Sequence, residues 1–322
     1  MEKQLEALKI AEELNLLLYN SRSLLRIGLI NQNQGYYSEA ENYYKRALEI
    51  AEQLENKGYK ATLLRLIASY YVILKNHDKA LELYNEAIEI NTKLGRLVEK
   101  AFCLSAVGDI YKYKGNYGEA LQKLEVALNI SEVLENPIYK AKFLNIIGLI
   151  YMDKEKYSKG KKYSDALKMF NQAIQLNEKL EALNDLAVNY NNIGQIYSNM
   201  KKFAKALKHY KKAIEIDERA NHKEGIITRL INIGWIYHQQ KDFPEAKQAL
   251  NKALEIMEDL RTIRLKANVL NMLGLVYRDE INYTEARNHF NEAFHVLTKQ
   301  GLEESTLMRK VKGNLKYLPR ND

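Results

Sequence analysis

The sequence predicts an all-α fold, an α-solenoid of seven helix-turn-helix repeats with a half-repeat helix at each end. Three observations predict it. Apolar residues recur at intervals of three and four, as in Leu121, Leu124, Ala127 and Leu128. That is the spacing of one helix face, and no β-type alternation of useful length accompanies it. A small residue stands at 28, 68, 108, 148, 194, 234 and 274, forty apart except for one step of 46. The chain has 322 residues but only three prolines, no Ser/Gly tract and no long charge block. A single array without linkers accounts for that better than separate domains do.

Two further sets of alanines keep the same schedule. One is Ala40, Ala80, Ala120, Ala166, Ala206, Ala246 and Ala286; the other is Ala47, Ala87, Ala127, Ala173, Ala213, Ala253 and Ala293. Small side chains at fixed helical positions let two helices approach closely. Tyr44, Tyr84, Leu124, Phe170, Tyr210, Leu250 and Phe290 fill the space between them. Tyr71, Tyr111, Tyr151, Tyr197, Tyr237 and Tyr277 share a slot that reads as core.

The expected division is a leading helix within 1–20, then repeats at 21–60, 61–100, 101–140, 141–186, 187–226, 227–266 and 267–302, then a capping helix at 303–318. Ala7 stands forty before Ala47, so residues 2–18 read as the second helix of an incomplete repeat. The last helix stops before Pro319, with Asn314 forty after Gly274. Half-repeats at both ends cover core that an open array would expose. The extra six residues fall in "EKYSKGKKYSDAL", 155–167, between Tyr151 and Ala166. That places them in the surface turn of the fourth repeat, where added length costs little. Tyr157 and Tyr163 both match the turn tyrosines Tyr37, Tyr117 and Tyr283, and one of the two takes that place.

"LNIIGLIY", "NYGEA" and "YKRALEI" resemble the tetratricopeptide repeat, and the resemblance covers nearly the whole chain. The period is 40 where the family usually has 34, and the family's proline near the end of the second helix is absent. Similar long-period arrays occur in scaffolds like Pins and kinesin light chain and in bacterial signalling sensors. The resemblance implies a right-handed superhelix of helical pairs with a concave groove that binds a peptide segment of a partner.

Asn145, Asn191 and Asn271 share the slot three before the small residue, and Asn192 and Asn232 sit one later. Asparagine is a poor mid-helix residue, so its repeated use needs a reason. By the resemblance this slot lines the groove, where an amide both donates to and accepts from a peptide backbone; bonding between neighbouring helices is the other reading. Trp235, the single tryptophan, lies one after Gly234 in a second groove slot, as a partner anchor or as packing against the next helix. The chaperone-binding members need lysine in the slot of Asn145 and asparagine in that of Trp235 within one repeat, and no repeat here combines them.

"KKFAKALKHYKKA" is the most basic helix, and Lys205, Lys208 and Lys212 fall opposite its apolar face. With Lys159, Lys161 and Lys162 of the insertion they form an expected basic edge, either a solvated face or a site for an acidic partner or nucleic acid. The net charge of +8 does not by itself imply nucleic acid. Cys103 is the lone cysteine, which excludes a disulfide framework and a cysteine zinc cluster and suits the cytoplasm. The N-terminus "MEKQLEALKIAEELN" is a charged amphipathic helix, and no apolar run is long enough to span a bilayer. There is no HExxH, no phosphate-binding glycine loop and no nucleophile motif. His209 and His289 share a repeat position, as duplicated exposed sites would. The expectation is a non-enzymatic interaction scaffold with a protein or peptide partner and no cofactor or metal. A regulatory peptide sensor of bacterial receptor type is the alternative, although such receptors carry an output domain for which the register leaves no room.

Overall fold

Helices alternate with turns of one kind, and the turn chemistry sets the spacing. The computed structural model describes residues 1–157, 163–257, 262–299 and 305–319, with side chains described for all of these except 155–157. The chain divides into two compact units, Met1–Lys154 and Glu155–Asp322. The first holds α1 (Glu2–Glu13), α2 (Leu17–Gln34), α3 (Tyr37–Gln53), α4 (Lys57–Ile73), α5 (His77–Lys93), α6 (Leu97–Tyr113), α7 (Tyr117–Val133) and most of α8 (Pro137–Tyr157). The second holds α9 (Ser164–Lys179), α10 (Leu183–Asn199), α11 (Phe203–Arg219), α12 (Lys223–Gln239), α13 (Phe243–Met257), α14 (Ile263–Asp279), α15 (Tyr283–Thr298) and α16 (Thr306–Lys316). No strand occurs among the described residues.

The chain enters the left-handed region at 15, 35, 55, 75, 95, 115 and 135, and again at 181, 201, 221, 241 and 281. All of these residues except Glu55 close a helix by the same pair of bonds. After α4, Lys75 N–H donates to Val72 O at 3.0 Å and Asn76 N–H to Tyr71 O at 2.9 Å, the pattern that satisfies a helix's last carbonyls. Asn56, Asn76 and Asn282 then cap the next helix, their side chains accepting from backbone N–H three residues on. A helix of seventeen residues and a three-residue turn make twenty, so a pair makes forty.

The first helices of the pairs open at 17, 57, 97, 137, 183, 223 and 263. The boundaries expected at 21, 61, 101, 141, 187, 227 and 267 therefore fall one turn inside these helices. Their opening turns carry no fixed small residue to mark them. The leading helix is also shorter than expected: α1 ends at Glu13, and Asn15, at φ 51°, turns the chain into α2. The apolar run Leu16, Leu17, Leu18 hides that turn in the sequence.

Within each unit a pair is held by a small residue of its first helix facing a large residue of its second, as Gly28 faces Tyr44, Gly108 Leu124, Gly194 Tyr210, Gly234 Leu250 and Gly274 Phe290. Tyr44, Leu124, Tyr210, Leu250 and Phe290 are all buried. A β-carbon built on Gly28 would stand 2.6 Å from Tyr44, and one on Gly194 2.7 Å from Tyr210, so the glycines are there for closeness. The tyrosine slot is less interior than its periodicity suggests. Tyr71 is buried, but Tyr111, Tyr151, Tyr197, Tyr237 and Tyr277 are half-buried. They lie near the end of the first helix, where a ring covers the pair's edge, as Tyr197 does on His209 and Tyr277 on His289.

The end helices pack as half-repeats. α1 buries Leu8 and Ala11 against α2, and α16 buries Met308 and Val311 in the cluster of Phe290 and Leu297. Ala7, however, is exposed, because its slot faces a helix's own pair partner and α1 has none. The fourth repeat also differs from expectation. Part of the extra length continues α8 a turn beyond its 17-residue counterparts, to Tyr157, so not all of it lies in a turn. Tyr163, fully buried at φ 50° just before α9, stands three before Ala166 and takes the turn-tyrosine place.

Candidate functional site

Within each unit the first helices of successive pairs approach one another: α4 with α6 in the first, and α10 with α12, α12 with α14, and α14 with α16 in the second. The second helices make no comparable approach among the described elements. The first helices thus form the closer-spaced layer, over α4 and α6 in the first unit and over α10, α12, α14 and α16 in the second.

The asparagines of the second unit lie on that layer and meet across it. Asn232 Nδ2 on α12 donates to Asn191 Oδ1 on α10 at 2.9 Å. Asn314 Nδ2 on α16 donates to Asn271 Oδ1 on α14 at 2.9 Å. Asn191 and Asn232 are half-buried, whereas Asn271 is buried. Each bond uses one polar atom of each amide and leaves the other, so bonding between helices and an open amide coexist at one residue. Asn192 is buried inside α10, and Asn145 is half-buried on α8 in the first unit. Of the six expected groove residues, Asn145 thus lies in the first unit and the other five in the second. Asn191, Asn232 and Trp235 belong together, Trp235 being one turn along α12 from Asn232. The indole is 38% exposed and meets the Phe203 ring edge-on at 6.5 Å, so it leans back on the start of α11.

Lys205, Lys208 and Lys212 are exposed on α11. Lys205 Nζ lies 5.6 Å from the Tyr197 ring centre, and Lys212 pairs with Glu215 at 3.1 Å. Lys159, Lys161 and Lys162 lie outside the described residues. His209 and His289 are half-buried and stacked on tyrosines instead of exposed. Burial lowers the pKa of both imidazoles, with Lys208 adding to the effect at His209, and Glu292 and Glu285 opposing it at His289.

The periodicity did not reveal a buried polar seam between successive pairs. Asn177 Nδ2 donates to Asn189 Oδ1 at 2.8 Å, both side chains buried. Forty residues on, Asp217 on α11 and Arg229 on α12 stand 3.3 Å apart. Asp217 Oδ1 also meets His222 Nδ1 at 3.1 Å, so that nitrogen carries the hydrogen. The Arg229 N–H groups are not aimed at Asp217 Oδ2, and that oxygen, Nε and Nη2 all lack a hydrogen bond despite the short approach. Burial lowers the Arg229 pKa, against the attraction of Asp217. A signal existed in the sequence: the slots of Asp217 and Arg229 hold Ala51, Met257 and Leu297, and Leu63 and Val269, in other repeats.

No group of three or more His, Cys, Asp or Glu side chains could hold a metal among the described residues, and no described helix is long and apolar enough to cross a membrane. Residues 18–93, 59–132 and 185–259 match the model of the tetratricopeptide repeat, together more than half of the chain. The chain belongs to the tetratricopeptide repeat family. No curated protein matches it. Among solved structures this tetratricopeptide repeat protein is similar to aspartyl phosphate phosphatase F from Bacillus subtilis. The TM-score is 0.65 and the identity 19%, over 90% of this chain and 73% of that one. It is similar to the apo form of the quorum sensor NprR from B. thuringiensis, with TM-score 0.59 and 15% identity over 97% and 84% of the two chains. It is also similar to a Rap protein complexed with competence and sporulation factor, with TM-score 0.53 and 16% identity over 95% and 98%. At these identities the likeness is one of fold.

Proposed function

We propose that this chain is a non-enzymatic, cytoplasmic interaction scaffold that holds an extended segment of a partner on its first-helix face. The observation that carries the reading is the Asn191–Asn232 pair beside Trp235. An amide donor and an amide acceptor remain after the bond between them, next to an aromatic side chain that is more than one-third exposed. Main-chain hydrogen bonds to such amides supply affinity, and an indole supplies an anchor. The Rap protein complexed with competence and sporulation factor and the quorum sensor NprR lend support from the same fold. They also make a regulatory sensor the second reading, which shares the binding step.

Panning a displayed random-peptide library on the full chain tests the proposal. Enriched peptides are expected to lose at least fivefold in affinity with Trp235→Ala and with Asn191→Ala/Asn232→Ala. No enrichment, or affinities that ignore all three changes, would remove this face from the reading.

A further inference from the structure

The first unit carries, on its own first-helix layer, a recess of about 530 Å³ between α4, α5, α6 and α8. That volume lies within the range of small-ligand sites. Its apolar lining comes from Val72 on α4, Tyr84 on α5 and Ile110 on α6. Two carboxylates reach it, Asp109 from α6 and Asp153 from α8, with the Lys112 side chain also in the lining. Asp109 follows Gly108 as Trp235 follows Gly234, so it occupies the same slot in this unit as the indole does in the other.

Solvent reaches half of the Asp109 side chain, yet the protein around it raises its carboxyl above the ordinary range. Lys112, one turn on at 3.6 Å, opposes that shift. The carboxylate is wet enough to be reached and dry enough to gain from a cation. At the edge the His77 ring lies on Tyr113, centroids 4.6 Å apart, and both imidazole nitrogens are buried without a hydrogen-bond partner. Tyr113 is 68% exposed, leaving ring surface for another group. Arg65, also on α4, acts on the Tyr84 phenol and the Cys103 thiol.

These features select one kind of side chain. An anion would meet two carboxylates. A wholly apolar group would displace water from Asp109 and add no charge to that of Lys112 at 3.6 Å. A cation on an aliphatic stem lays the stem on the apolar lining and brings its head to the carboxylates. Arginine fits better than lysine, because its planar fork bonds carboxylate oxygens in pairs and stacks on aromatic rings. We propose that the recess of α4, α5, α6 and α8 takes an arginine side chain of the bound peptide, held by Asp109 and Asp153 against the Tyr113 ring. The proposal rests on the peptide-binding reading above and deepens it.

The test uses the full chain and fluorescein-labelled random octapeptide pools with one central position fixed as arginine, lysine, norleucine or glutamate, read by polarisation. The arginine pool is expected to bind at least fivefold tighter than the norleucine or glutamate pools. Asp109→Asn and Asp153→Asn should each reduce that preference to less than twofold with unchanged circular dichroism. Lys112→Ala, which frees Asp109, should preserve or sharpen it. Binding without an arginine preference, or a preference that survives both carboxylate changes, overturns the arginine site and leaves peptide binding standing. Binding of no pool overturns both.

Discussion

Asp217 and Arg229 stand 3.3 Å apart in the seam between α11 and α12, Asp217 fully buried and Arg229 5% exposed. A buried pair with imperfect bonds adds little net stability, but removing one partner strands the other charge. Arg229→Val alone should therefore cost about 3–5 kcal/mol. Forty residues on, the same seam holds Met257 and Val269, so Asp217→Met with Arg229→Val should restore stability to wild type or above. Urea unfolding of the cycle checks this, and a double variant as weak as the single one would show that the pair is better than its geometry.

A β-carbon on Gly274 would stand 2.5 Å from Phe290, whereas one on Gly108 would stand 3.1 Å from Leu124. Gly274→Ala should cost about 1–3 kcal/mol through overpacking, and Gly108→Ala clearly less. Phe290→Leu in the Gly274→Ala background should recover part of the loss. Equal costs at the two glycines would mean that the ring moves aside freely.

Deleting Ser158 to Tyr163 restores the forty-residue spacing and brings Tyr157 to three before Ala166. α8 must then end a turn earlier, and Tyr157 must take the buried place of Tyr163. The variant should fold cooperatively, with stability changed by about 1 kcal/mol or less. A broadened unfolding transition would show that the segment contributes more than length.

His209 and His289 are held below the usual imidazole pKa of about 6.5 by burial. As pH falls through that value the unfolded chain takes up protons that the folded chain does not. Their contribution is present in full above about pH 6.5 and is lost as pH falls toward the folded pKa values. The melting temperature should drop between about pH 7 and 5, and His209→Gln/His289→Gln should flatten that dependence. Identical profiles for the two proteins would exclude the histidines as the cause.

Asn271 is buried and accepts from Asn314, while Asn191 is half-buried. Asn271→Ala should destabilise by about 1 kcal/mol or more by leaving Asn314 unpaired. Asn191→Ala should cost less, because its own amide is only half-buried where that of Asn271 is buried, Asn232 and Asn314 being alike half-buried. Thermal melts that rank the two the other way would reverse the structural assignment.

The helical pairs, the end helices and the forty-residue register were legible because each rests on a local pattern repeated along the chain. A small residue every forty positions names its partner sixteen residues later, and helical spacing keeps both on facing surfaces. The asparagine slot was legible in the same way, as a repeated departure from helix preference. Helix openings were not, because a polar first turn carries no fixed side chain. Tertiary structure alone decided that Asn191 meets Asn232, that Asp217 meets Arg229, and that Asp109, His77 and Asp153 share one recess. It also decided that Tyr163 and not Tyr157 enters the turn place, and that α8 runs to Tyr157. Periodicity states which face of a helix is covered. Hydrogen bonds and ion pairs form over about 3 Å, so their partners depend on how far each neighbouring helix reaches across the face.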